Sequence, residues 1–148
     1  MNIGGPSVTT ETKIASKTVT FTGASGLGLH ATATTCFTIA GGLVVIDEIT
    51  GRVTTNCTGA TATVTLGVTG STSLFIGTTT ATDLVTTTPV WATTTPTAGG
   101  IALAAADKGI VIAGNVLLSS THASADVASG VVEINVRWHA LTPGATLS

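Results

Sequence analysis

Two kinds of side chain in the sequence could carry chemistry, namely adjacent carboxylates and histidines. Asp47 and Glu48 form the single adjacent acidic pair, a pattern found in glycosidase half-sites and among Ca²⁺ ligands. An isolated pair of this kind on a strand is more often a solvated edge or an interface salt bridge. The histidines His30, His122 and His139 are far apart in sequence. They would hold an ion if they converged in space or around an oligomer axis, and are otherwise ordinary surface or interface residues.

A glycine-rich segment at residues 22–28, Thr-Gly-Ala-Ser-Gly-Leu-Gly, has the look of a dinucleotide-binding loop. Asp47 follows it by about 20 residues, as in that motif. The motif needs a helix directly after the glycines, so that its N-terminus faces the pyrophosphate. Residues 29–35 are instead crowded with threonine, which predicts a loop between strands. A Gly-x-Ser-x-Gly nucleophile elbow is also missing from the sequence. Because the helix of the dinucleotide motif is not predicted either, and the histidines are scattered, we expect no enzymatic activity, no cofactor and no metal.

The two cysteines, Cys36 and Cys57, are too few for a disulfide framework. Cys36 lies in an apolar, strand-like run, which favours a buried reduced thiol. A bridge between Cys36 and Cys57 stays open as an alternative, because no spacing rule forbids it. Asn56 begins a formal glycosylation sequon, but the first residues lack the features of a secretory signal, so we expect the sequon to be unused.

Composition narrows the class of protein. Of 148 residues only 8% are charged, whereas 33 are threonine and 18 glycine. Threonine is β-branched and favours strands over helix interiors, so a helical protein is excluded. Five Lys and Arg residues against seven Asp and Glu give a formal net charge of −2, without the basic patch that binding to nucleic acid or a polybasic membrane anchor requires. The longest apolar stretch, residues 101–106, is far short of a membrane span.

Alternation of apolar and polar residues predicts the fold. In the last strand Val132, Ile134, Val136 and Trp138 alternate with polar side chains, as in a half-buried antiparallel strand. We predict an all-β protein, an antiparallel β-sandwich of jelly-roll type, with Trp91 as a core or interface anchor. One helical turn or two is possible at residues 103–107. The candidate strands cover residues 17–22, 32–39, 42–55, 60–68, 73–79, 90–94, 100–104, 109–112, 116–121 and 132–139.

The start of the chain differs from the rest. Residues 1–16 are polar and punctuated by glycine and proline, which predicts an extended N-terminal arm that becomes ordered against a neighbour. We therefore divide the chain into this arm and a β-sandwich domain at residues 17–148. The apolar residues of the arm, Ile3, Val8 and Ile14, are the predicted partner-binding residues.

Four segments resemble small structural proteins of tailed bacteriophages. They are residues 17–28 (KTVTFTGASGLG), 58–68 (TGATATVTLGV), 78–84 (TTTATDL) and 136–144 (VRWHALTPG), and they occur in the same order. The resemblance implies a virion protein, a head decoration or cement protein that clamps neighbouring major capsid subunits. It also implies a homodimer or homotrimer made in the host cytoplasm and set on the outer surface of the capsid. None of the cysteines or acidic residues considered above belongs to these segments.

A scarcity of charge agrees with a role in packing against other proteins, because few charged groups must be desolvated when a large surface is buried. We therefore expect a non-enzymatic protein that bridges major capsid subunits through its arm. The alternative is a tail, fibre or baseplate β-domain that binds a receptor or a glycan. The scarcity of aromatic residues, at 3%, counts against an aromatic-lined glycan groove.

Overall fold

Within the described residues, ten strands form two sheets that pack face to face. A computed structural model describes residues 11–103 and 108–148 of the chain. One 3-10 turn, Ala81–Asp83, follows the fifth strand. The strands are β1 (Lys13–Phe21), β2 (Ala33–Ala40), β3 (Val44–Thr58), β4 (Thr63–Val68), β5 (Ser71–Thr80), β6 (Val90–Trp91), β7 (Ile110–Ile112), β8 (Leu117–Ala123), β9 (Ser129–Ala140) and β10 (Thr146–Leu147).

The strand order is that of a jelly roll. One sheet has the order β1-β9-β3-β6, with β7 also paired to β3, and the other has the order β10-β2-β8-β4-β5. All strand pairs are antiparallel. If β6 and β7 are taken as one interrupted strand beside β3, the main strands form two four-stranded sheets. The chain alternates between these sheets except at the β4–β5 hairpin, which lies within one sheet, as in a double Greek key. The predicted antiparallel β-sandwich is therefore confirmed.

The two sheets differ in charge. Strands β2, β4, β5, β8 and β10 contain no Asp, Glu, Lys or Arg, and we call their sheet the neutral sheet. Strands β1, β3 and β9 contain seven such residues, and we call the sheet that they form with β6 and β7 the charged sheet. The core lies between the two sheets and is closed by apolar side chains from both.

Alternation in the sequence determines which side chains face the core. Val132, Ile134, Val136 and Trp138 of β9 are buried, as predicted. The even-numbered residues of β4 are buried in the same way, while Thr63 and Thr65 point outward. Threonine suits these outward positions because it favours the strand conformation and adds no charge.

Trp91 joins the two sheets, which confirms it as a core anchor. Its side chain is fully buried, and its indole Nε1–H donates a hydrogen bond to Thr79 Oγ1 of the neutral sheet at 3.0 Å. Gly51 is its partner across the β3–β6 pair. A Cβ at Gly51 would lie 2.8 Å from the indole ring, so a glycine there leaves the space that the ring needs.

Several predicted boundaries are wrong. Strand β1 begins at Lys13, not at residue 17, because residues 13–16 extend the ladder with β9. Strand β4 begins at Thr63, since Ala62 N–H donates to Gly59 O and closes a turn. Residues 100–103 form no strand. The predicted helix at residues 103–107 lies mostly outside the described residues, and the short strand β10 was not predicted.

Candidate interaction surface

Of the three predicted partner-binding residues, the structure describes only Ile14. Ile3 and Val8 lie outside the described residues, whereas Ile14 lies on β1. Strand β1 is the edge of the charged sheet, and Ile14 faces Arg137 of β9 across the ladder. The Ile14 side chain is 78% exposed. Its position on the outer face of the sheet makes it available to a partner.

A β-bulge places the adjacent carboxylates Asp47 and Glu48 on the same face of the charged sheet. Between Ile46 and Glu48 the register of β3 against β9 shifts by one residue, so Asp47 and Glu48 both lie on the outer face instead of on opposite faces. Asp47 Oδ2 accepts a hydrogen bond from His139 Nδ1 at 2.8 Å, and Glu48 forms an ion pair with Arg137.

A further ion pair continues the same face. Arg52 Nη2 of β3 lies 2.7 Å from Glu133 Oε2 of β9, directly across the ladder. Each carboxylate of this face thus has a basic partner on the next strand. Such cross-strand pairs fix the register and leave the sheet compatible with water. The carboxylates form a set of interstrand contacts within one chain, and the Asp47–Glu48 pair lies on an inner strand and not at a sheet edge.

Exposed apolar side chains cluster at one end of this face. Val45 is opposite Val111 of β7 and His139 of β9, and Leu141 N–H donates to Leu43 O. Because residues opposite each other share a face, Leu43, Val45, Val111 and Leu141 form one group, which we call the corner patch. Val111 is 52%, Leu141 48% and Leu43 39% exposed. Val45 is buried beneath them, outside the main core.

An open groove lies on the same outer face, on the β1 side of the sheet. Its volume is about 320 Å³, and its lining includes Thr12, Ile14, Glu48, Asn135 and Arg137. Ser16 Oγ donates to Asn135 Oδ1 at 2.7 Å at its side. The groove is shallow, mixed in polarity and adjacent to the start of β1. Together with the corner patch it forms a surface suited to contact with another protein.

The three histidines do not converge. The backbone N–H of His30 donates to Asp126 Oδ1 at 2.9 Å, and His30 Nδ1 lies 2.7 Å from the same oxygen. The backbone hydrogen bond, together with the side-chain contact, lowers the pKa of Asp126. His122 is fully buried in the core, so the prediction of a surface or interface histidine is wrong at this position. Among residues 11–103 and 108–148, no three His, Cys, Asp or Glu side chains are placed to hold a metal ion.

His122 is accommodated by its neighbours on β8 and β1. Its Nε2 lies 2.8 Å from Ser120 Oγ, and its ring packs edge-on against Phe21 at 5.2 Å between centroids. Burial lowers the pKa of His122 to about 4, so the ring is neutral at pH 7. Strict alternation along β8 could have identified this residue, since it shares a face with the apolar Leu118.

The cysteines are buried free thiols on opposite sheets. This confirms the prediction of a buried thiol at Cys36, and the disulfide that the sequence left open is not formed. Desolvation raises the pKa of Cys36 to about 11 and that of Cys57 to about 12. Thiols with such pKa values are protonated at pH 7 and are poor nucleophiles.

The glycine-rich segment forms a tight loop. Leu27 N–H donates to Ala24 O, and Val127 N–H donates to Gly28 O. A Cβ at Gly28, where φ is +112°, would lie 2.5 Å from Val127 O, so the glycine permits close packing against the neighbouring loop. The chain then passes into β2 without a helix, which confirms the predicted loop between strands.

In the part of the chain that the structure describes, no helix has the length and apolar character to cross a membrane. No protein-family model and no curated protein matches the sequence. Among solved structures, a chain of the cyanophage Pam1 capsid asymmetric unit is similar, with a TM-score of 0.50 and 23% sequence identity. The alignment covers 94% of this chain and 91% of that one. At this identity the similarity shows a shared fold over nearly the whole of both chains.

Proposed function

We propose that this chain is a virion structural protein of a tailed bacteriophage, and that it decorates the outside of the head, where it bridges major capsid subunits. The observation that carries the proposal is the near full-length match of its jelly roll to a chain of a cyanophage capsid unit. Because the alignment covers nearly all of both chains, the similar protein is also a small one. The four phage-like segments of the sequence support the same class.

The arrangement of the charged sheet supports binding by its β1 edge. An edge strand has one row of backbone N–H and C=O groups directed away from its sheet, which can pair with a strand of another protein. Ile14 extends from this edge, and the corner patch lies on the same outer face. Burial of one isoleucine side chain contributes about 1.5–3 kcal/mol. Several such contacts per subunit, repeated over a capsid lattice, give firm attachment without any catalytic group.

The arm has a defined place in this proposal. Residues 13–16 of the predicted arm belong to β1, and residues 1–12 precede it. A segment of residues 1–12 that binds a capsid subunit would therefore continue directly from the edge of the sandwich. Ordering a segment costs roughly 1–2 kcal/mol per residue, and strand pairing or burial of Ile3 and Val8 would have to offset that cost. The sandwich itself would be a rigid body attached to the capsid at two places, by the arm and by the outer face of the charged sheet.

The number of copies per particle tests the proposal. Purified virions are digested, and this chain is quantified by mass spectrometry against the major capsid protein. A decoration protein is present in hundreds of copies, in a simple ratio to the capsid protein. A few to a few tens of copies would contradict the proposal and assign the chain to a tail, fibre or baseplate. Its absence from particles would contradict a structural role altogether.

A further inference from the structure

The corner patch lies at the end of the charged sheet where β1 begins. Lys13, the first residue of β1, is opposite Trp138 of β9. Val45 and Val111 of the patch lie in the next row of the sheet toward this end. The other two members follow two residues further along the chains of β9 and β3. The chain therefore enters β1 beside the patch.

The segment before β1 is long enough to reach across the patch. Residues 1–10 lie outside the described residues, and residues 11–12 join them to Lys13. Val8 is five residues from Lys13, which corresponds to at most roughly 17 Å of extended chain. The members of the patch lie one to three strands from β1, within about 15 Å of Lys13 at the usual strand spacing and rise. Val8 is therefore within reach of all of them.

The composition of residues 1–10 matches the patch. The sequence MNIGGPSVTT has no Asp, Glu, Lys or Arg and includes the branched apolar residues Ile3 and Val8. Asp47, two residues from Val45, already accepts a hydrogen bond from His139. An uncharged segment would therefore cover the patch without burying an unpaired charge.

We propose that residues 1–10 lie across the corner patch of their own chain before the protein attaches to a capsid, with Val8 in contact with the patch. The contact removes apolar side chains of both surfaces from water. A segment tethered beside its site has an effective concentration on the order of millimolar, so it occupies the patch in preference to a second molecule at micromolar concentration. On the capsid both surfaces would bind subunits instead, a step that rests on the proposed function.

Formation of a disulfide within the full chain tests the contact. The double variant Val8→Cys, Leu141→Cys is oxidised under mild conditions, and its disulfides are identified by mass spectrometry of the peptides. The native thiols of Cys36 and Cys57 are buried and are expected to stay free. The introduced pair is expected to form within one chain, at a rate that does not change on tenfold dilution.

The double variant Val8→Cys, Ser16→Cys is the matched control. Ser16 is exposed on β1, three residues from Lys13 and so about 10 Å away, which is as near as Leu141. The pair with Leu141→Cys is expected to form at least tenfold faster than this control pair. Equal rates would mean that the segment does not prefer the patch and would overturn the proposal. Disulfides between chains would assign the patch to a second copy and overturn it as well.

A second measurement leaves the sandwich unchanged. Val8→Ser removes an apolar group from the segment and is expected to raise the fluorescence of added anilinonaphthalene sulfonate at least twofold, because the patch becomes accessible to this apolar dye. Thr9→Ser is the control and is expected to leave the fluorescence unchanged. Adding Leu141→Ser to Val8→Ser is expected to cancel the increase. Fluorescence of Val8→Ser equal to that of the wild type would contradict the contact, and far-UV circular dichroism establishes that each variant is folded.

The proposed contact and the proposed capsid function fail separately. Neither measurement requires a capsid, so a slow Val8→Cys, Leu141→Cys disulfide in a protein found in hundreds of copies on particles contradicts the contact alone. A rapid disulfide in a protein that is absent from particles contradicts the decoration role alone.

Discussion

Trp138 shows how one residue of β9 stabilises the sandwich. Its side chain is 4% exposed, and Lys13 Nζ lies 5.3 Å from the ring centroid. We expect Trp138→Ala to lower the free energy of unfolding by about 3–5 kcal/mol, because it removes a large buried side chain and leaves a cavity. Urea denaturation measures the loss. Ile14→Ala is the control, since its exposed side chain contributes little, and a loss below about 1 kcal/mol in Trp138→Ala would contradict the core placement.

At the same scale, the sequence predicted residues whose environment depends on local pattern. Trp138 and Cys36 were expected to be buried because each lies on an alternating or apolar strand. His122 was not, although alternation along β8 places it on the same face as Leu118, because a histidine is compatible with either face of a strand. Its packing depends on Phe21, which comes from a distant part of the chain. The ion pair of Glu48 and the hydrogen bond of Asp47 likewise depend on the register of β3 against β9.

At the scale of elements, long alternating strands were predictable and short or irregular ones were not. Strand β9 is twelve residues long and alternates between buried and more exposed residues. Strand β10 has only two residues and forms because it pairs with Ile39 and Ala40 of β2. The bulge in β3 reverses the alternation at Asp47. Such a reversal is specified by the partner strand, so a single sequence does not reveal it.

At this scale we predict that strand β1 and the segment before it attach the protein to the capsid, a prediction that rests on the proposed function. Ile14→Asp is expected to reduce binding to capsids that lack this protein at least tenfold, because a charge replaces an apolar contact at the strand edge. Removal of residues 2–12 is expected to do the same while the fold persists, since the β1–β9 ladder starts at Lys13. Cosedimentation with capsids measures both effects.

The control for this experiment is Leu27→Asp. Leu27 is also an exposed large apolar residue, but it lies in the loop between β1 and β2, away from the corner patch. Its substitution is expected to leave capsid binding unchanged. Wild-type binding by both Ile14→Asp and the shortened chain would refute a role for the β1 edge and the arm.

At the scale of the whole molecule, composition predicted the class of fold but not its arrangement. The abundance of threonine indicated strands, and their number indicated a sandwich. The strand order depends on pairings between distant segments, such as β1 with β9, that no local pattern encodes. The segregation of charged residues into one sheet could not be predicted without the strand order, because charged and neutral strands are interleaved along the chain.

The stability of the molecule in acid follows from two groups with lowered pKa values. A group whose pKa is lower in the folded protein stabilises it above the unfolded pKa and ceases to do so as the pH falls through the folded value. For His122 the pH range in which this stabilisation is lost runs from about 6.5 down to about 4. For Asp126, whose pKa in the unfolded chain is 3.8, the range lies at lower pH. We therefore expect the free energy of unfolding to decrease between pH 6.5 and 4 by on the order of 3 kcal/mol through His122.

The substitution His122→Gln isolates this contribution, because glutamine is polar but does not titrate. Urea denaturation from pH 7 to pH 4 is expected to show a shallower decrease of the unfolding free energy in the variant than in the wild type. Ser120→Ala keeps the buried imidazole and is expected to retain the steep decrease. Equal slopes for the wild type and His122→Gln between pH 6.5 and 4 would mean that the imidazole is hydrated or charged in the folded protein. In that case the packing of His122 against Phe21 would not contribute to acid sensitivity.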